Sequence, residues 1–168
     1  MIKKIVLHIV AIYVLLLLQT TVADSIKFFE IKPNFLLTYV LCVAILFGKE
    51  EGAIIGGVTG LCMDIFSIHY FGIYLIMGVL TGYVVGNINH KYFEQKWYVI
   101  GMCVFSYSFV YEMIMSLVYK LITGNVEIIY SLRYIVIPQS AYSMVISVLM
   151  YFILRLFLPK EKEFEESI

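Results

Sequence analysis

The sequence predicts an all-α integral membrane protein, folded as a six-helix transmembrane bundle. Hydrophobic residues make up 62% of the 168 residues and charged residues only 14%, whereas soluble domains carry about 25% charged residues. The mean hydropathy is +0.93. Apolar segments fill nearly the whole chain and leave no room for a soluble catalytic domain. The formal net charge is zero, so no basic arm indicates nucleic-acid binding.

The six predicted helices form one transmembrane domain over residues 1-158. Pro33 opens the second helix, where its missing N–H costs nothing, and Lys49-Glu50-Glu51 is predicted as a polar turn before the third. The first helix resembles a secretory signal, but its apolar run is longer than a usual signal core, so we predict that it is retained. The predicted ranges are 5-22, 34-47, 52-68, 72-88, 98-122 and 134-158, followed by a charged tail over 159-168.

The basic residues predict the orientation of the bundle. With six spans, eight of the twelve Lys and Arg residues fall on the side of the two termini and four on the other side. Because basic residues accumulate in cytoplasmic loops, both termini are expected in the cytoplasm. The helix over 34-47 is short for a full span, and a re-entrant segment is the alternative there.

Glycine recurs at every fourth position on two neighbouring predicted helices. Four residues is slightly more than one helical turn, so each series lines one helix face and leaves a shallow groove. In lipid, small residues on such a face let two backbones approach closely. We interpret these positions as packing or helix-docking positions, within the bundle or with a partner helix. They are Gly52, Gly56 and Gly60 on the third helix and Gly78, Gly82 and Gly86 on the fourth.

Two acidic side chains lie inside the predicted spans. Asp64 extends the first glycine series by four residues, and Glu112 lies at a similar depth on the fifth helix. Gln139 and Ser143 fall at comparable depth on the sixth helix. A carboxylate in lipid costs at least about 2.5 kcal/mol, so each acid is expected to face the bundle or a wet cavity. Hydrogen-bonded packing, a ligand pocket and a proton or cation site all stay open as interpretations.

The sequence lacks the motifs that indicate catalysis or phosphate binding. Its three cysteines are isolated inside apolar runs, and no histidine has an acid or a cysteine at ligand spacing. We therefore predict that the protein is not an enzyme and has no catalytic residues, no metal site and no cofactor.

Three blocks of residues carry a resemblance to a known family. They are Leu17-Leu18-Gln19-Thr20-Thr21, Lys32-Pro33-Asn34-Phe35-Leu36-Leu37, and Gly52 to Gly86 with its G-x-x-x-G-x-x-x-D run. In the order and spacing of these blocks the chain resembles the rod shape-determining protein MreD family. The family often has aspartate at the position of Asn34, so we assign Pro33 and Asn34 to a helix start.

The resemblance implies a protein of the bacterial cell-elongation machinery, which carries out lateral peptidoglycan synthesis. The implied partners are MreC, the MreB filament, RodA and a class B penicillin-binding protein, in the bacterial cell membrane. The family's fold resembles the substrate-binding component of energy-coupling-factor vitamin transporters, which implies an outward pocket. The predicted function is a non-enzymatic membrane scaffold that docks MreC. The alternative is a small-solute-binding membrane component of a transporter.

Overall fold

A computed structural model describes residues 2–22, 32–66, 71–92, 97–124 and 128–157, and the regular structure within these ranges is helical. The predicted tail over 159-168 and the polar connections at 67–70 and 93–96 lie outside the described residues. The elements in chain order are α1 (Ile2–Leu17), a π-helical turn (Leu18–Val22), α2 (Phe35–Phe47), α3 (Lys49–Phe66), α4 (Ile73–Tyr92), α5 (Trp97–Thr123), α6 (Ile128–Ser131), a second π-helical turn (Leu132–Val136) and α7 (Ile137–Phe157).

Three helical runs among the described residues are long and apolar enough to cross a membrane. They are Lys4–Thr21, Trp97–Ile122 and Ile129–Phe157, and the shorter apolar helices are Phe35–Phe47 and Ile73–Ile88. The predicted class, an all-helical membrane protein, is confirmed. A complete span by each of the six predicted helices, with both termini on one side, stays a prediction.

The short helix α2 lies at the centre of the bundle. It packs against α1, α3, α4, α5 and α7, and every side chain from Leu36 to Leu46 is buried. Its sequence is apolar on all faces, which is typical of a helix buried on all sides. Its 13 residues extend about 20 Å, less than the hydrocarbon thickness of about 30 Å. Because other helices cover α2, its length need not match the bilayer.

Polar side chains satisfy the buried start of α2, whose first N–H groups have no partner within the helix. Asn34 occupies the N-cap position, and its Oδ1 accepts the backbone N–H of Leu37 at 3.0 Å. Gln19 accepts the backbone N–H of Phe35 at 2.9 Å and donates to the Pro33 carbonyl at 3.1 Å. The π-helical turn after α1 is thereby tied to the start of α2.

The helices α3 and α4 pack together along the two glycine series. A Cβ placed on Gly52 would lie 2.6 Å from the Gly82 carbonyl oxygen, and one on Gly56 would overlap the Gly78 carbonyl. Backbone therefore meets backbone at these positions, and no space remains between them for a partner helix. The two remaining glycines of the series also lie against backbone. Gly60 lies against Tyr74 and Leu75, and Gly86 lies against Gly48 and Lys49.

The structure corrects the predicted turn at Lys49-Glu50-Glu51. These residues form the first turn of α3, and the only break between α2 and α3 is Gly48, with a φ of 95°. A positive φ favours glycine because a side chain would be strained there. Glu50 and Glu51 suit a first turn because they face the positive end of the helix dipole. The acidic residues therefore begin a helix instead of separating two helices.

Candidate functional site

A polar cavity lies where α2, α5 and α7 meet near the start of α2. Its volume is about 270 Å³, and Asn34, Glu112 and Gln139 line it. Gln139 Nε2 donates to Glu112 Oε1 at 2.9 Å. A neutral amide from a neighbouring helix therefore holds the Glu112 side chain at the wall of the cavity.

Three tyrosines form another part of the wall. Tyr74, Tyr111 and Tyr119 line the cavity, and the hydroxyl groups of Tyr74 and Tyr119 hydrogen-bond to each other. Glu112 and Lys32 also line the cavity, so the site offers one acidic and one basic side chain, phenol groups and aromatic faces. Such a site is chemically suited to a small polar solute.

Asp64 does not line this cavity, although the sequence placed it with Glu112 in one polar region. It is buried with 1% exposure, and both of its oxygens accept backbone N–H groups, from Tyr74 at 3.1 Å and from Leu75 at 2.9 Å. These N–H groups belong to the first turn of α4, which begins at Ile73. Asp64 therefore caps a helix, and Glu112 is the single acid among the described residues that line the cavity.

Ser143 does not line the cavity either. It is fully buried in α7, and its Oγ has no hydrogen-bond partner within the described part of the chain. Its neighbours one turn away bond to their own helix, Ser140 to the Val136 carbonyl at 2.7 Å and Ser147 to the Met144 carbonyl at 2.7 Å. The serines therefore form a narrow, small-residue face of α7. Within the described ranges, no three histidine, cysteine or acidic side chains could hold a metal ion.

Two grooves flank α1, which packs on the bundle through α2. The α1–α7 groove, of about 340 Å³, is lined by apolar side chains of α1 and α7, including Val10, Ala11 and Ile153. The α1–α3 groove, of about 490 Å³, is lined by isoleucines of both helices and ends at charged residues. The sequence did not predict either groove, because both depend on the angle at which α1 packs against its neighbours.

A comparison with protein families shows which family the chain belongs to. The model of the rod shape-determining protein MreD family matches residues 1–161. This chain belongs to the MreD family. The resemblance seen in the three sequence blocks is therefore confirmed. No match was found among curated proteins or among solved structures.

In this MreD-family chain, the three blocks form two junctions between helices. The block around Gln19 and the block around Asn34 meet at the start of α2, where they satisfy its N–H groups. The Gly52 to Gly86 block forms the α3–α4 hairpin, with Asp64 capping its second helix. The first two blocks thus fix one junction between helices, and the third block fixes another.

Proposed function

We propose that this chain is a non-enzymatic membrane scaffold of the cell-elongation machinery, which docks the transmembrane helix of MreC. Membership of the MreD family supports a role in determining rod shape. The chain would dock MreC and link it to the membrane complex, whose other members are the MreB filament, RodA and a class B penicillin-binding protein. In this proposal both termini lie in the cytoplasm, as the bias of basic residues predicts.

The α1–α7 groove is the surface that we assign to the MreC helix. The two glycine series pack against each other and leave no space for a partner helix, which therefore has to pack elsewhere. This groove offers apolar walls from Val10, Val14 and Ile153, with the small Ala11 between them. Helices in lipid associate through van der Waals packing, which is closest where a side chain is small. The open, apolar groove beside α1 is the observation that carries the proposal.

Two valines of α1 provide a matched test. Val10 lines the α1–α7 groove and is 53% exposed, whereas Val6 lines neither groove and is 51% exposed. Val10→Trp should fill the groove, lower the recovery of MreC in pull-downs from cross-linked membranes and produce rounded cells. Val6→Trp should leave both readouts unchanged. Equal behaviour of the two variants at equal protein levels would contradict this surface.

A second candidate function is a solute-binding component of a transporter. The cavity beside Glu112 is the observation that favours it. Glu112→Gln keeps the shape of the side chain and its hydrogen bonding with amides but removes its charge. Under the scaffold proposal, cells with this variant keep their rod shape and their MreC recovery. Loss of solute uptake with normal shape would favour the transporter function.

A further inference from the structure

The α1–α3 groove has an apolar floor and a charged end, and the proposed scaffold function uses neither. Its walls are formed by side chains of α1 and α3 that recur at helical spacing. At one end it meets three polar side chains, Lys4 and His8 of α1 and Glu51 of α3. The apolar wall residues are Ile5, Ile9 and Ile12 from α1 and Ile54, Ile55 and Val58 from α3.

The three polar side chains, which we name the Lys4–His8–Glu51 cluster, are held in place by their neighbours. Lys4 Nζ donates to Glu51 Oε1 at 2.5 Å and lies 4.6 Å from the centre of the Phe47 ring. His8 Nδ1 lies 2.6 Å from the Tyr39 hydroxyl, within hydrogen-bond distance. The cluster is therefore ordered before any ligand arrives.

Two buried polar atoms of this cluster have no hydrogen-bond partner among the described residues. They are His8 Nε2 and Glu51 Oε2, which lie 4.0 Å apart, too far for a hydrogen bond to each other. The His8 residue is only 7% exposed. Buried polar groups are nearly always hydrogen-bonded. The pair of atoms therefore indicates a site for a group that both donates and accepts hydrogen bonds.

The cluster lies at the end of a candidate membrane span, since Lys4 is the first residue of the apolar run Lys4–Thr21. The helices α1 and α3 begin at Ile2 and Lys49, and the contact between Lys4 and Glu51 places both beginnings at the same end of the bundle. From there the groove runs along the side of the bundle and is open at its surface, since Ile5, Ile9 and Ile54 are 55%, 60% and 65% exposed. A molecule in the groove would therefore have a polar head and an apolar tail.

We propose that the α1–α3 groove binds a phospholipid with a primary amine in its headgroup, of the phosphatidylethanolamine type. Its acyl chain lies along the isoleucines. Its ammonium group donates to Glu51 Oε2, and its phosphate accepts from Lys4, whose ammonium carries three donors. When the Tyr39 hydroxyl donates to His8 Nδ1, His8 Nε2 carries the proton and donates to the phosphate as well.

Complementarity of charge and of hydrogen-bond donors selects this lipid over other membrane components. The cluster offers a cation and an anion side by side, and the phosphoethanolamine headgroup offers the opposite pair. A phosphatidylcholine headgroup has the same charges but no N–H donor for Glu51. A phosphatidylglycerol headgroup has the phosphate but no cation. An apolar partner helix would leave both buried atoms of the cluster without partners.

Native mass spectrometry of the full chain in detergent tests the proposal with dioleoyl phosphatidylethanolamine, phosphatidylcholine and phosphatidylglycerol at equal concentrations. Because a hydrogen bond between charged groups is lost, phosphatidylcholine should bind about tenfold more weakly than phosphatidylethanolamine. Glu51→Gln should weaken phosphatidylethanolamine binding by about the same factor. The neighbouring Glu50→Gln is the matched control, since Glu50 is exposed and does not line the groove, and should bind like the unsubstituted chain.

The groove itself is tested by a second matched pair. Ile54→Trp should abolish the binding of all three lipids, whereas Ile65→Trp, at another exposed isoleucine of α3 outside the groove, should not. Equal affinities for phosphatidylethanolamine and phosphatidylcholine would overturn the proposal, as would equal effects of Glu51→Gln and Glu50→Gln. A co-purified membrane helix that Ile54→Trp displaces, with lipid binding unchanged, would assign the groove to protein and overturn it too. The comparison of lipids needs no variant and stays decisive when a variant fails to fold.

Discussion

The Asp64 carboxylate accepts the backbone N–H of Leu75 at 2.9 Å. Its other oxygen accepts the N–H of the preceding residue, Tyr74. Both N–H groups lie in the first turn of α4 and have no partner within it, and a negative charge also suits the positive end of the helix dipole. The G-x-x-x-G-x-x-x-D run therefore specifies a helical hairpin. Its glycines let the backbone of α4 pack closely against α3, and its aspartate caps the start of α4.

Removing the cap should destabilise the hairpin in a graded way. Asp64→Leu loses both acceptors and leaves two buried N–H groups unpaired, which should lower the free energy of unfolding by about 1–3 kcal/mol. Asp64→Asn keeps one acceptor and should cost less. The midpoint of thermal unfolding in detergent measures both effects. If Asn were as damaging as Leu, the charge itself or a proton transfer would be the function of Asp64.

The glycine contacts predict opposite outcomes for the same substitution at two helical, buried sites. Gly56→Ala places a methyl group on the Gly78 carbonyl and should cost about 1–3 kcal/mol of stability by overpacking. Gly101→Ala is the control, because its Cβ would come no closer than 3.6 Å to the Met144 side chain. Alanine favours a helix by about 1 kcal/mol over glycine, so Gly101→Ala should be neutral or stabilising. Equal melting temperatures for the two variants would contradict the contact between the glycine series.

The bond between Gln19 and the start of α2 predicts a third effect on stability. Gln19→Leu leaves the Phe35 N–H and the Pro33 carbonyl without their partner and should cost about 1–3 kcal/mol. Thr20→Val is the matched control, since Thr20 is exposed and bonds to the Leu16 carbonyl of its own helix. Its effect should stay within about 0.5 kcal/mol. Limited proteolysis and thermal unfolding would each reveal the difference, and indistinguishable variants would argue against this junction.

The membrane class, the order of the helices and the family were accessible from the sequence because they depend on local patterns. Apolar runs identify helices without knowledge of their neighbours, and the turn residue Pro33 marks where α2 begins. The glycine spacing identified the faces of α3 and α4 that need close contact. The spacing did not decide whether the two glycine series pack against each other or against a separate protein, because both arrangements require the same spacing.

The remaining features depend on tertiary packing. The short α2 lies at the centre of the bundle, and only its contacts with the neighbouring helices reveal that. Asp64 and Glu112 looked equivalent by depth, although their orientations give one a capping role and the other a place in a cavity. The role of Gln19 depends on a contact with Phe35, sixteen residues away. No helical periodicity encodes such a contact.

Reporter fusions test the predicted topology of six spans. Fusions after Lys49, Lys91 and Lys162 should report the cytoplasm, and fusions after Lys27, His69 and Asn125 should report the exterior, because the basic residues favour that orientation. The fusion after Lys49 examines the short α2 directly. An exterior signal there would show that α2 does not span the membrane.

Depletion of the protein, with cell shape and MreC recovery scored in the same cells, tests the scaffold function most directly. The scaffold proposal predicts rounded cells and weaker recovery of MreC from cross-linked membranes. The unsubstituted chain and Val6→Trp should restore both, and Val10→Trp should restore neither. Normal rods with unchanged MreC recovery, alongside lost uptake of a small solute, would contradict the scaffold function and favour a transporter component.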